Sequence, residues 1–153
     1  MMTVHLTGGY NMLYRAMEEV KEYCSKKSLK RPLILGVSVL TSIDNNDFSS
    51  LGIKGKVEDQ VVRLAKLAEN SGLDGLVCSA KELKIVKREV GKNLILVTPG
   101  IRPAGGEVND QKRILTPAQA IKDGANFLVI GRPISKASNV SEALKYFNKS
   151  INE

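Results

Sequence analysis

The chain has no tryptophan, a single histidine and two cysteines among its 153 residues, and aromatic side chains make up only 5%. So few rings argue against a stacking surface for nucleic acid bases. Cys24 and Cys78 fall on a predicted helix and a predicted strand, with no metal-type spacing and no secretory signal. Two free thiols in a reducing cytoplasm are therefore expected. No apolar run approaches the roughly 18 residues that a membrane span needs, so no membrane partner is expected. There is no G-x-S-x-G elbow and no Cys/His pair placed for nucleophilic catalysis. No cluster has the composition of a metal site, and neither metal nor cofactor is expected. The lone His5 sits inside a predicted strand, where a buried, hydrogen-bonded structural role is the expectation.

What the chain does have is an excess of positive charge, 23 Lys+Arg against 16 Asp+Glu, giving +7. Such a balance suits a nucleic acid, an anionic ligand or merely a basic surface. The basic residues are dispersed, as Lys21, Lys26, Lys27, Lys30, Arg31, Lys84, Lys87 and Arg88 show. Solvated helical faces are the simpler reading, and no nucleic-acid partner is expected. A hydrophobic fraction of 42% and a charged fraction of 25% are those of an ordinary globular protein. Residues 1–153 read as one domain, long enough for a core but short for an eight-stranded α/β barrel of roughly 200 residues or more.

Along the chain, strand-like runs alternate with helical periodicity. Thr3 to Leu6 is β-prone and ends in Gly8-Gly9; Met12, Leu13, Ala16, Met17, Val20 and Tyr23 then recur at helical spacing. Pro32 precedes the continuous apolar run Leu33 to Leu40, the pattern of a strand buried on both faces. After the polar stretch Asp44 to Ser50, Val57 to Asn70 reads as a helix with Gly72 as its C-terminal glycine. Gly75 to Cys78 is the next strand, and Ser79-Ala80-Lys81-Glu82 has the capping-box pattern that opens a helix to about Val90. Leu94 to Val97 is a strand; Thr116-Pro117 opens a short helix ending at Gly124; Phe127 to Ile130 is the last strand; Ser138 to Ser150 is the closing helix. Five strands alternating with helices mean a parallel α/β sheet of βαβ units. The stretches Ser71 to Val77 and Asp123 to Val129 look alike because each joins a helix end to a strand.

The chain is organised around Val97-Thr98-Pro99-Gly100-Ile101-Arg102-Pro103, Asp110-Gln111, and Leu128-Val129-Ile130-Gly131-Arg132-Pro133-Ile134. Two apolar runs each end in a glycine turn followed by an arginine. A glycine after a buried strand lets backbone N–H groups approach an anion, and an arginine on the same turn adds a planar fork of donors matched to phosphate oxygens. Ligands of parallel α/β folds bind at the carboxyl ends of the strands, where Thr41, Ser79, Arg102 and Arg132 are expected. The competing reading is of surface arginines, turn-forming glycines and a Thr41 hydroxyl that merely satisfies nearby backbone.

The segment TPGIRPAGGEVNDQKRILTPAQAIKDGANFLVIGRPI, with LGVSVLTS, GLDGLVCSA and TVHLTGG before it, resembles the phosphate-binding half of orotidine 5′-phosphate decarboxylase. The resemblance implies strands four to eight of a (β/α) barrel of the TIM type, with the first three strands absent. It implies that Arg102, Gln111, Gly131 and Arg132 hold the substrate phosphate and that Thr41 lines the pyrimidine end of the pocket. A uridine or orotidine 5′-phosphate type ligand follows from it, while the expected cytoplasmic location rests on the thiols and on the lack of a secretory signal or membrane-length run noted above.

The family's D-x-K-x-x-D motif, which supplies the catalytic lysine and aspartates, does not occur in this chain. No residue here is assigned a catalytic role, and Asp44, Asp47 and Lys54 do not have the motif's spacing. The expectation is a carboxyl-terminal portion from an amino-truncated or split gene, binding phosphate without turnover of its own. It would be a homo-oligomer or would pair with a separate chain carrying the missing strands, because open sheet edges invite association. A remnant, or a non-catalytic binder of phosphorylated small molecules, is the alternative; a basic nucleic-acid-binding module is a weaker one.

Overall fold

The computed structural model describes residues 1–91, 93–103 and 115–151. Five strands, β1 (Met2–His5), β2 (Ile34–Val37), β3 (Gly75–Val77), β4 (Ile95–Thr98) and β5 (Phe127–Leu128), form one sheet in sequence order. Every pairing is parallel, with Val37 beside Val77, Val77 beside Val97, and Val97 beside Phe127. The helices are α1 (Gly9–Lys26), α2 (Asn45–Ser50), α3 (Val57–Asn70), α4 (Leu83–Glu89), α5 (Pro117–Asp123), α6 (Arg132–Ser135) and α7 (Val140–Ser150).

Local chemistry explains where these helices start and stop. Thr116 Oγ1 accepts from the Gln119 N–H at 3.4 Å, Pro117 opens the first turn of α5, and Gly124 closes it at φ +110°. Asn139 caps α7 by accepting from the Glu142 N–H at 3.1 Å. In the polar stretch after β2, where no hydrophobic periodicity marks a helix, Asp44 accepts from Asn46 N–H and Asp47 N–H. Asp47 returns the bond to the Asp44 N–H at 2.8 Å. This reciprocal capping box holds the single turn of α2 and seats Phe48, 1% exposed, in the core.

Side chains alternate across a sheet, so the register divides its residues between two faces. Ile34, Leu76, Leu96 and Cys78 join Leu13 and Met17 of α1, Val61, Leu64 and Ala65 of α3, Leu83 and Val86 of α4 and Ala120 of α5 in one core. On the other face lie Leu35, Val37, Val77, Ile95, Val97 and Phe127, none of which belongs to that core. Coverage on this second face thins toward the edges, and Phe127 and Val129 are 47% and 50% exposed.

Several boundaries differ from the sequence reading. The run Leu33 to Leu40 contributes only Ile34–Val37 to the ladder; its last rung is the Ser38 N–H on the Val77 carbonyl at 3.1 Å, to which the Ser38 hydroxyl also donates at 2.8 Å. Ser79 caps a 3₁₀ turn, Ala80–Glu82, rather than α4 itself. Met12 and Tyr23 are exposed, so α1 buries a narrower stripe of Leu13, Met17 and Cys24. His5 is exposed, contrary to the expected burial, because β1 is an edge strand and its side chain projects from the thinly covered face.

The two look-alike joints form the same structure. After Gly72, at φ +71°, Asp74 N–H donates to the Ile34 carbonyl and Asp74 Oδ2 accepts from the Ile34 N–H at 2.8 Å. After Gly124, Asn126 N–H donates to the Leu96 carbonyl and Asn126 Oδ1 accepts from the Leu96 N–H at 2.8 Å. Each joint therefore clamps the amino end of a neighbouring strand. Asp74 additionally holds Arg31 through two bonds of 2.6 Å, which lower its pKa, and the Ile34 N–H lowers it further. An unfolded aspartate protonates near pH 3.9, so this stabilisation is complete above that value and is lost as pH falls through the lower folded pKa. Asp74→Ala is expected to cost about 2–3 kcal/mol in urea denaturation at pH 7. Asp74→Asn, which copies Asn126, should lose only about 1 kcal/mol and should remove part of the acid sensitivity of the midpoint.

Candidate functional site

The carboxyl ends of the strands carry the residues that the sequence singled out. Thr41 follows β2, is 8% exposed, and lines a depression of about 240 Å³ with Val37, Leu40, Val77, Cys78 and Pro99. The wall is apolar apart from a few polar atoms, as suits a flat ring or sugar face. Ser79 is fully buried, and its hydroxyl accepts from the Lys81 N–H at 3.3 Å, so it serves the local turn.

Beyond β4 the chain turns at Gly100, φ +76°, and Ile101 forms a parallel bridge with Leu115. Arg102 is 6% exposed; its backbone N–H donates to the Leu115 carbonyl at 3.1 Å and its guanidinium donates to the Ile101 carbonyl at 2.9 Å. Burial of a guanidinium is costly unless its donors are used, and these bonds fix it against its own turn. Beyond β5, the Val129 N–H donates to the Thr98 carbonyl at 2.9 Å, and Gly131 then opens α6 with Arg132 as its first residue. The Gly131 carbonyl accepts from Ile134 and Ser135. Among the described residues nothing lies within 4 Å of the position that a Cβ on Gly131 would take, so none of them blocks a ligand's approach to its backbone from that side.

The two arginines stand at matching sequence distances from one rung of the sheet. Thr98 is the register partner of Leu128, and each arginine stands four residues beyond its member of that pair, on neighbouring turns. Neither arginine nor Gly131 lines the depression that holds Thr41; Pro99 connects the two regions, being a wall of one and part of the Arg102 turn. Gln111 lies outside the described residues. The sequence reading missed Val37, Val77 and Cys78 as wall residues, although their place at strand ends was a usable signal. Among the described residues no three His, Cys, Asp or Glu side chains group as metal ligands. No helix among them is long and apolar enough to cross a membrane.

An open parallel sheet with helices between successive strands, and polar residues gathered at the strands' carboxyl ends, makes this a portion of a (β/α) barrel. The chain belongs to the orotidine 5′-phosphate decarboxylase / HUMPS family, whose model matches residues 1–147. It is 48% identical over 151 residues to the orotidine 5′-phosphate decarboxylase of Vibrio campbellii, covering 99% of this chain and 63% of that protein. The Aliivibrio fischeri enzyme of the same name is 49% identical over the same shares. Among solved structures, orotidine 5′-phosphate decarboxylase from Lactobacillus acidophilus superposes with a TM-score of 0.79 at 33% identity, over 99% of this chain and 62% of that one. An uncharacterised conserved protein from Geobacillus kaustophilus gives 0.77 at 28% identity. The chain thus spans less than two thirds of the relatives it matches, in agreement with its reading as a carboxyl-terminal portion.

Proposed function

We propose that this chain is the phosphate-gripping portion of an orotidine 5′-phosphate decarboxylase, binding a uridine or orotidine 5′-phosphate type ligand across the carboxyl rim of its sheet. Arg102 and Arg132 would neutralise the phosphate dianion, Gln111 would donate through its amide, Gly131 would offer its backbone, and Thr41 would face the pyrimidine end. The observation that carries this reading is that Arg102 and Arg132 each stand four residues beyond the paired Thr98 and Leu128, on the turns that follow β4 and β5. Two such turns close on one anion from two sides, and charge-assisted, bidentate bonds are the strong ones.

Decarboxylation leaves an electron pair on the ring carbon, so it requires a cation there that can also deliver a proton. A lysine held between carboxylates meets both needs, and the D-x-K-x-x-D spacing that provides it is absent from this sequence. Turnover therefore needs further polypeptide carrying that motif. A chain that binds phosphorylated small molecules without turning them over is the second reading, favoured by the same absence. The two separate when orotidine 5′-phosphate is assayed with and without a polypeptide carrying the remaining barrel strands: restored decarboxylation supports the first, and binding unaccompanied by turnover supports the second.

β1 and β5 are the sheet's edges, and exposed Met1, Met2, Phe127 and Val129 lie on or beside them. Unpaired edges and exposed apolar side chains favour association. Sedimentation equilibrium of the purified chain is expected to give a mass of at least two chains; a clean monomer at micromolar concentration would contradict this.

A further inference from the structure

His5 is the only histidine in the chain, and the structure puts it at the rim of the ligand face instead of in the core. It closes β1, its register partner is Val37, and Val37 in turn pairs with Val77. Register partners project to the same side of a sheet, so His5 shares a face with two walls of the Thr41 depression. One strand spacing of about 5 Å separates it from Val37. Its imidazole is exposed and makes no hydrogen bond among the described residues. The other register positions of that face on β1 to β4 carry Thr3, glycine or aliphatic side chains, so His5 is the sole titratable group there.

We infer that His5 is a further ligand-binding residue, contacting the part of a nucleoside monophosphate that lies away from the phosphate. The inference rests on the phosphate-gripping role of Arg102 and Arg132 proposed above. β1 is three strand spacings from β4, about 14 Å along a flat sheet, so an anion held by the arginine turns does not itself reach His5. The ring or sugar of a ligand anchored there crosses the Thr41 depression and arrives at Val37 and His5. An imidazole N–H there donates to a carbonyl or hydroxyl oxygen, a directional contact that the aliphatic wall cannot supply.

With one histidine in the chain, its ring resonances are unambiguous in a proton NMR spectrum. Uridine 5′-monophosphate is expected to shift them saturably, and inorganic phosphate to leave them in place while still competing for the arginine turns. His5→Asn is expected to weaken uridine 5′-monophosphate about three- to tenfold, the effect of one hydrogen bond, and to leave inorganic phosphate affinity unchanged. Its exposed edge position makes the substitution harmless to folding. Uridine 5′-monophosphate that binds in an Arg132-dependent manner without moving the His5 resonances, and equally well to His5→Asn, would overturn the inference alone. Absence of any Arg132-dependent binding would overturn the phosphate reading and this inference with it.

Discussion

Orotidine 5′-phosphate given to the isolated chain is expected to stay undecarboxylated, with carbon dioxide released no faster than in buffer. Enzymes lower barriers by about 8–23 kcal/mol, and binding a remote phosphate contributes to that only when reacting groups exist to use it. Asp110-Gln111-Lys112 begins the catalytic spacing by chance, but Leu115 stands where its second aspartate would be. Lys54 and Lys81, the first lysines after β2 and β3, are both exposed. An exposed lysine keeps its hydration and lacks the fixed carboxylates that would orient it. A polypeptide carrying the remaining strands with an intact D-x-K-x-x-D should raise the rate at least about a thousandfold, the scale lost when a catalytic group is removed. Turnover by the chain alone would mean that one of its own lysines acts, and would overturn the proposed division between grip and catalytic centre.

Arg132→Ala should lower the affinity for uridine 5′-monophosphate about a hundredfold in a calorimetric titration, with the thermal midpoint little changed. Bonds to charged groups contribute about 1.5–3 kcal/mol each, and 1.4 kcal/mol is tenfold in affinity, so losing a bidentate pair accounts for the drop. Arg132 is half-buried on the four-residue helix α6, where truncation removes little packing. Arg132→Lys should recover only part of the loss, since an ammonium offers a point charge without the planar fork. Arg102→Ala is a less clean test: that side chain is 6% exposed and bonded to the Ile101 carbonyl, so its removal also costs stability. Unchanged affinity in Arg132→Ala would move the phosphate elsewhere.

The elements with chemical punctuation were readable from sequence. Thr116-Pro117 and Gly124 bracket α5, and Gly72 ends α3, because a cap, a fixed φ and a left-handed residue each act locally. The arginine turns were readable for the same reason, their glycines and guanidinium groups being neighbours in the chain. What depends on tertiary position was not. An apolar run does not reveal that the ladder stops at Val37, or that Val39 and Leu40 beyond it become part of a cavity wall. Nor does a lone histidine in a strand reveal that its strand is an edge whose face lies open. α2 escaped because its six residues include one buried apolar side chain, Phe48, and its cohesion comes from two aspartates three residues apart.

The most direct test of the central claim is an equilibrium titration of the purified chain with uridine 5′-monophosphate, repeated in the presence of inorganic phosphate. Saturable binding of one nucleotide per chain, displaced by phosphate, is the expected result. No saturable uptake up to millimolar nucleotide, by a chain whose circular dichroism shows the α/β fold intact, would contradict it.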